Sequence, residues 1–478
     1  MSNEKKELNK TTKLNLNLPR KLSFELPKEE IINRINRLKS FLDNNDIFIL
    51  YSNFPSNHPD AIYQKFRQNS DFYYLTGLNI APAILVITFS DVILFYNEPD
   101  PEEELWTGIK PNHNEIKNYL EFITDILPFS EFKEKIFQNL ENKTKIYYPF
   151  GINQEYDYFI LNQLEHRIRR SRSNVYFPTT IIHAYEILFE LRIKKTPYEI
   201  NIIKEIMEIT KNAHINVWKN VKPGMFEYEL EAILLQTFYQ NNADFAYPSI
   251  VASGSNACIL HYTSNNAKIN TNDLILIDAG ARKYYLNTDI TRTFPAKGKF
   301  NSIQKHIYQA VLEAQNKAIE FSKPGYCMED SHFAAINVLI DFLKEEKILK
   351  ESKDEILEKE LYKPYYMHRT GHWLGYDVHD RGFYLSYSSF NKDKICTSRL
   401  HKEFKKNSHL PYRKFEPNMI CTVEPGLYFS PGLDTVPEEW KGIGIRIEDD
   451  ILITENEPEI LSKNIPKIPE EIETIMQK

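Results

Sequence analysis

Four apolar runs in the second half of the chain each carry a carboxylate where a strand would otherwise bury hydrocarbon, and this sets the tightest limit on the fold. LILIDAG brings in Asp278, NTDITRTF brings in Asp289, MICTVEPGLYF holds Glu424 and GIGIRIEDDILIT holds Glu448. A carboxylate buried without a partner is costly, so such strands must lead their charges to an exposed edge or to a shared partner. Asp278 is followed by Ala279-Gly280, where a strand gives way to a turn. If its strand pairs with the one that Asp289 begins, the two carboxylates converge. Two carboxylates brought together repel unless a proton or a cation lies between them. Taken alone the aspartate pair is weak evidence, because aspartate near turns is common. Each glutamate alone reads equally well as a charge on an exposed strand edge.

The histidines add weight. HRTGHWLGYDVHD groups His368, His372 and His379, although only 13 histidines serve all 478 residues. A lone histidine is more often structural than a ligand, but three beside glycines that permit close approach favour a site. Four carboxylates and one imidazole, Asp278, Asp289, Glu424, Glu448 and His372, make a hard, oxygen-rich set. Such a set suits two divalent ions such as manganese better than one structural zinc.

The length predicts two domains. Residues 1–20 read as a polar, mobile arm with no apolar core of the length a secretory signal needs. Residues 21–183 form the first, smaller domain, of mixed α/β type, with short strands in IFILYS, DFYYLTG, AILVITF and VILFYN and another in IYYP. The apolar stretch from Ala83 to Tyr96 is too short to span a membrane and is broken by Ser90-Asp91, so it reads as a hairpin. In LRIKKTPYEI, Thr196 can cap a helix, Pro197 suits its first position and Glu199 can reach back to close a capping box. Ile200, Ile203, Met207 and Ile209 then recur near helical spacing. The boundary falls near residue 184, and 184–478 reads as a second domain in which helices and antiparallel hairpins mix, so the class is α+β.

The net charge of -7, with no basic stripe among stacking aromatics, argues against nucleic acid and for a small soluble substrate. Cys258, Cys327, Cys396 and Cys421 are scattered without C-x-x-C spacing, which indicates neither a disulfide framework nor a thiolate zinc site and suits a reducing cytoplasm. The stretch 391–414 is rich in lysine and arginine and reads as a solvated surface insertion, or more sharply as a lid or oligomer contact.

Six motifs together resemble aminopeptidase P, the Xaa-Pro aminopeptidases of the pita-bread metallopeptidases, a group that includes prolidase and methionine aminopeptidase. They are RQNSDFYYLTG, SIVASGSNACILHYT, LILIDAG with DITRTFP, MHRTGHWLGYDVHD, TVEPGLY and GIGIRIEDD, and they span most of residues 60 to 450. The resemblance implies an aminopeptidase P first domain over 21–183. It also implies a pseudo-symmetric pita-bread catalytic domain over 184–478, with metals between two sheet halves. Asp278 would bind one manganese ion through both oxygens, His372 and Glu424 the other, and Asp289 and Glu448 would bridge them. A hydroxide shared by the ions would attack the carbonyl of an N-terminal Xaa-Pro bond, with Glu424 passing the proton to the leaving nitrogen. His261 and His379 match positions that hold the substrate and the tetrahedral intermediate, and His368 and Arg446 match those lining the proline pocket, supported by Tyr428. Trp106 resembles a tryptophan that reaches a neighbouring subunit's active site in a homodimer or homotetramer, with a packing role as the alternative. No nucleic-acid or membrane partner is implied.

Two other readings use the same fold. Prolidase would restrict the substrate to Xaa-Pro dipeptides with the same five ligands, and a non-catalytic pita-bread domain would bind a protein partner and betray itself by lost ligands. All five ligand types are present. The chain departs from the family pattern at Asn418, a turn position that is often glycine and whose left-handed conformation asparagine tolerates, at Arg381, usually small and apolar, and in the 391–414 insertion. These leave the preferred substrate length open.

Overall fold

Strand β1 (Asp46–Tyr51) is buried at every position, so it must be covered on both faces. The computed structural model describes residues 24–54, 65–169, 174–398 and 409–477; the arm expected over 1–20 lies outside them. The chain divides into two units, Met1–Ile182 and His183–Lys478. In the first, β1 lies within a six-stranded sheet with β2 (Ala83–Thr88), β3 (Val92–Tyr96), β4 (Asp125–Leu127), β5 (Lys145–Tyr148) and β6 (Thr180–His183), in the order β4-β3-β2-β1-β5-β6. β1 pairs antiparallel with β2 and parallel with β5, so the sheet is mixed. The hairpin expected at Ser90-Asp91 is there: Thr88 and Asp91 bond across it, main chain to main chain at 2.9 Å.

Among the described residues, six α-helices accompany this sheet: α1 (Lys28–Lys39), α2 (Ser70–Thr76), α3 (Pro101–Thr107), α4 (His113–Tyr119), α5 (Phe132–Leu140) and α6 (Gln154–Arg169). Ile47, Ile49 and Tyr51 of β1 share a core with Phe132, Ile136 and Ile160 of α5 and α6. The expectation of a strand in DFYYLTG fails, because these residues form α2. Asn69 accepts from the Asp71 and Phe72 amides to cap its start, and Gly77, at φ 65°, ends it in the left-handed region. Every residue of α2 is buried, so no polar face shows the helical period in the sequence.

The second unit opens with α7 (Tyr185–Ile193) and α8 (Pro197–Asn220). The capping box forms as read: Thr196 N–H donates to Glu199 Oε2 at 2.7 Å and Glu199 N–H to Thr196 Oγ1 at 3.3 Å. Ile200, Ile203 and Met207 are buried, whereas Ile209 is only partly so. α9 (Glu227–Gln240) packs on α8, and α10 (Ser302–Glu320) packs on α11 (Met328–Glu345); α12 (Lys353–Glu358) and α13 (Pro469–Met476) complete the helices described. Among the described residues no helix is long and apolar enough to cross a membrane.

The strands of this unit are short: β7 (Asp244–Phe245), β8 (Ile250–Ser253), β9 (Leu274–Asp278), β10 (Ala281–Lys283), β11 (Leu286–Asn287), β12 (Thr291–Pro295), β13 (Ile420–Val423), β14 (Gly426–Phe429), β15 (Ile443–Arg446), β16 (Asp449–Leu452) and β17 (Glu459–Ile460). They form sheets β12-β9-β8, β11-β10-β7, β13-β16-β17 and β14-β15, and every pairing described is antiparallel. The two glutamate runs do not continue through their acids. Glu424-Pro425 separates β13 from β14, Ile447-Glu448 separates β15 from β16, and the halves join different sheets. Gln315 of α10 donates from Nε2 to Val423 O (3.2 Å) and Ile447 O (3.1 Å), satisfying carbonyls at both breaks.

The basic stretch 391–414 is described at 391–398 and 409–414. A wholly solvated insertion is not what these residues make. Arg413 is fully buried and grips Glu190 of α7 through Nη1 (2.5 Å) and Nη2 (3.1 Å), while Asn391 donates to the same carboxylate at 3.1 Å. A bidentate pair with a third donor is how a buried charge becomes tolerable. Asn418, at φ 69°, takes the left-handed turn anticipated for it.

Close approach at one glycine holds β9 and β10 in place: a Cβ on Gly280 would lie 1.7 Å from the Thr288 carbonyl oxygen. Backbone cannot swing aside as a side chain would. Gly280→Ala is expected to cost about 3 kcal/mol and to lower the thermal midpoint by roughly 5–10 °C. A calorimetric midpoint equal to that of the parent would show that this approach is not needed.

Candidate metal centre

Antiparallel pairing delivers the two aspartates. Thr291 of β12 lies opposite Asp278 of β9, and Ala279 N–H donates to Ile290 O at 3.0 Å, which sets Asp289 beside Asp278 just before β12. Tyr247 Oη lies 2.5 Å from Asp278 Oδ1 and also hydrogen-bonds Asp289 Oδ1. One phenolic proton cannot serve two carboxylates at once, so further positive charge is called for here.

The imidazole arrives by a different route. Residues 370–373 lie along β13, with Glu424 N–H donating to Thr370 O at 2.8 Å and Thr422 N–H to His372 O at 2.9 Å. A Cβ on Gly371 would stand 2.1 Å from Thr422 O, so only glycine permits this approach. His372 Nε2 then lies 3.3 Å from Asp289 Oδ2 and 3.8 Å from Glu424 Oε1. Val423 pairs with Asp449, which brings Glu424 and Glu448 to the same end of the β13–β16 pair. Glu448 Oε2 accepts from Thr291 Oγ1 at 2.7 Å. Ligand atoms of Asp289, His372 and Glu448 all lie within 4.8 Å of one another, and all five predicted ligands line one cavity of about 920 Å³.

The electrostatics ask for a cation. Burial lifts Glu424 to about 7 and Glu448 well above the ordinary carboxylate range, with the charges of neighbouring carboxylates adding to the effect. Asp289 is raised by burial as well. Burial alone would lower His372, but its hydrogen bond to Asp289 and the charges of Asp289 and Glu424 outweigh this and raise it to about 9. A divalent ion bound among these groups would displace the protons that such shifts favour. His372 Nδ1 is held 3.0 Å from Trp373 O, leaving Nε2 to face the carboxylates. With four carboxylates and one imidazole, the residues fit a pair of hard divalent ions.

Around the five ligands lies a directional chain of hydrogen bonds. Arg446 donates from Nη2 to Asp278 Oδ2 (2.7 Å) and from Nη1 to Tyr428 Oη (3.1 Å), and Tyr428 Oη lies 2.8 Å from His368 Nε2. His368 Nδ1 lies 2.8 Å from Arg369 O. Donation to that carbonyl leaves Nε2 to accept from Tyr428, which makes His368 neutral. The histidine is indeed lowered to about 3, by burial first and the Arg446 charge second. His379 faces solvent with its ring 4.1 Å from that of His372; partial burial and then the His372 charge lower it to about 4. The adjoining Asp380 is fixed by Lys195 at 2.8 Å and by Arg192.

Of the residues singled out in the sequence, His261, His368, His379 and Arg446 line the cavity with the five ligands, and buried Tyr428 stands behind His368 and Arg446. Trp106 is 89% exposed on α3 and is not among the lining residues. Arg381 does not line the cavity either; its guanidinium lies 4.3 Å from the centre of the Tyr185 ring. Sequence reasoning missed Tyr247 and Thr291. Tyr247 stands two residues before the SIVASG motif and Thr291 two after Asp289, and nothing in spacing or composition marks either one.

Comparison with known proteins supplies the remaining findings. The family model described as "Metallopeptidase family M24" matches residues 201–455, and that described as "Aminopeptidase P, N-terminal domain" matches residues 31–148. The chain is 37% identical over 417 residues to the Xaa-Pro aminopeptidase of Escherichia coli (strain K12), covering 86% of this chain and 89% of that protein. Among solved structures it resembles the Pseudomonas aeruginosa aminopeptidase PepP, with a TM-score of 0.85, 35% identity and coverage of 95% of this chain and 99% of that one. Zn-substituted E. coli aminopeptidase P in complex with product is similar, with a TM-score of 0.83, 35% identity and the same coverage.

Replacing Asp289 by asparagine keeps the shape and removes a charge from the centre of the cluster. The expected result is a fall in bound metal, with turnover down by at least the roughly 100-fold that even an outer-shell metal partner can cost. Elemental analysis beside peptide hydrolysis checks it, and full metal content with near-normal turnover would refute the assignment.

Proposed function

The chain belongs to metallopeptidase family M24 and is a metal-dependent aminopeptidase, and we propose that it releases the N-terminal residue from peptides whose second residue is proline. The observation that supports this most is one cavity holding four carboxylates and His372 beside a neutral His368 and Arg446, in a chain alike over most of its length to an Xaa-Pro aminopeptidase. Asp278, Asp289, His372, Glu424 and Glu448 are the residues we assign to two divalent ions, manganese in our reading. When bound, such ions acidify a water and polarise the scissile carbonyl.

The remaining steps belong to side chains of this protein. Hydrolysis adds OH to the carbonyl carbon and H to the leaving nitrogen as the C–N bond breaks. An Xaa-Pro amide has no N–H of its own, so its nitrogen must receive a proton from the site. Glu424 is assigned that transfer. His261 and His379, on the cavity wall, are assigned hydrogen bonds to the substrate and to the oxyanion as it develops. Neutral His368 and the rigid Arg446–Tyr428 pair are assigned the walls of the proline pocket.

Tyr384, Leu385, Leu410 and Tyr412 add an apolar wall to this cavity of about 920 Å³. Such room suits a peptide that continues past proline, and so favours an aminopeptidase over a dipeptide-restricted prolidase. We also assign the protein to the cytoplasm, whose reducing conditions suit its four free cysteines. A homodimer or homotetramer completes the reading, with the exposed Trp106 at a contact between subunits.

Turnover of an Xaa-Pro-Xaa tripeptide beside an Xaa-Pro dipeptide tests the substrate class: the tripeptide is expected to be cleaved, and cleavage of the dipeptide alone would sink the proposal. For Glu424→Gln, kcat is expected to fall by about 10²–10⁴-fold, with weaker hold on one ion. A variant that stays fully active would move the proton transfer to another group.

A further inference from the structure

Behind the wall of the substrate cavity lies a second cluster of metal-ligating side chains, and it is built from sulfur. Cys327 caps the N-terminus of α11 and Asp330 is the third residue of that helix. Asp330 Oδ2 accepts from the Cys327 amide at 3.0 Å and lies 3.3 Å from Cys327 Sγ and 3.4 Å from Cys396 Sγ. Ser398 Oγ donates to the other oxygen, Oδ1, at 3.0 Å. One ligand atom from each of Cys327, Asp330 and Cys396 falls within 4.8 Å of the others, and all three residues are buried.

We propose that Cys327, Cys396 and Asp330 form a structural site for a thiophilic divalent cation of the zinc class, separate from the catalytic pair, that pins the substrate-cavity wall to the start of α11. The distances suit this. Zinc bonds of ~2.3 Å to sulfur and ~2.0–2.2 Å to carboxylate oxygen, set tetrahedrally, place sulfur and oxygen about 3.5 Å apart, close to the 3.3 and 3.4 Å found. The Gly325 carbonyl, 3.9 Å from Cys396 Sγ, offers a neutral oxygen for a fourth position. Ser398 on Oδ1 then acts as the outer partner that orients a ligating carboxylate.

A disulfide suits the backbone less well. Phe415 N–H bonds to Tyr326 O, whereas Lys414 N–H bonds to Lys394 O and Cys396 N–H to Tyr412 O. In an extended chain successive amides point to opposite sides, so the two cysteine segments flank residues 412–415 from opposite sides. Two strand spacings amount to about 9.5 Å, beyond the ~6.8 Å Cα separation that a disulfide spans. A bound ion bridges such a gap, because it adds two metal–ligand bonds to the reach of the side chains. On binding, each thiol loses its proton to solvent as its sulfur bonds the ion. Two protons leave per dication, and with the carboxylate the site keeps one negative charge.

The position gives the site its purpose. Met328 and Glu329, between Cys327 and Asp330, line the substrate cavity, as does Tyr412, whose carbonyl holds the Cys396 amide at 2.7 Å. An ion here ties together the cavity-lining segments at Met328-Glu329 and Tyr412 without using the catalytic ligands.

Cobalt(II) tests this directly in the full-length, fully reduced protein, because the catalytic ligand set contains no sulfur. A thiolate-to-cobalt charge-transfer band is expected, lost in Cys327→Ser/Cys396→Ser and kept in Cys258→Ser. Zinc alone is expected to shield two of the four thiols from alkylation, and the double variant to bind one equivalent less zinc, with KM raised several-fold and kcat little changed. The band and the shielding are read on the parent protein, so they decide the matter even if the double variant does not fold. Absence of the band, equal zinc content in parent and variant, or a Cys327–Cys396 disulfide in peptide mass analysis would each overturn the proposal. The band, the shielding and the zinc content do not depend on the peptide substrate, so they stand or fall apart from the Xaa-Pro assignment.

Discussion

Mutual repulsion among four converging carboxylates is the constraint that organises the second unit. Asp278, Asp289, Glu424 and Glu448 reach one cavity from four different strand ends, and such a cluster persists only if cations or protons offset its charge. That cost shows in groups pushed from their ordinary range, with Glu448 and Asp289 raised chiefly by burial and His372 raised by its hydrogen bond to Asp289. Much of the surrounding architecture positions these oxygens. Gly280 and Gly371 let backbones touch, the breaks at Glu424 and Glu448 hand each run from one sheet to another, and Gln315 satisfies carbonyls at both breaks.

A second set of buried polar groups gives the cavity its shape. The Arg446–Tyr428–His368 chain has one consistent direction, from guanidinium to phenol to imidazole to the Arg369 carbonyl, and so selects a neutral histidine. Arg413 and Asn391 fasten the basic stretch to Glu190, turning part of what composition shows as a charged surface run into an anchored wall. A buried ion pair of this kind adds little net stability, since desolvation offsets most of the attraction, whereas removing one partner leaves an uncompensated buried charge.

Features that depend on a few neighbouring residues were legible in the sequence: the Thr196–Glu199 box, the Ser90-Asp91 hairpin and the left-handed Asn418. The strand misread at DFYYLTG shows where that legibility stops. Seven wholly buried residues carry no polar phase, and their aromatic content favours a strand, whereas the Asn69 cap and Gly77 fix a helix. Tyr247 was invisible for a different reason, since a tyrosine becomes notable only when two distant aspartates meet it.

By itself the sequence determined which chemical groups are present and where strands end, because turn residues, caps and charges within apolar runs act over a few positions. It also carried the likeness to one enzyme family, spread over motifs in both halves of the chain. The tertiary structure alone decided which of those groups meet. Antiparallel register set Asp278 beside Asp289, a glycine contact laid His372 against the Glu424 strand, and the start of α11 brought Cys327 to Cys396 although their spacing shows no motif. Convergence of this kind depends on long-range pairing and burial, and no local pattern of residues records it.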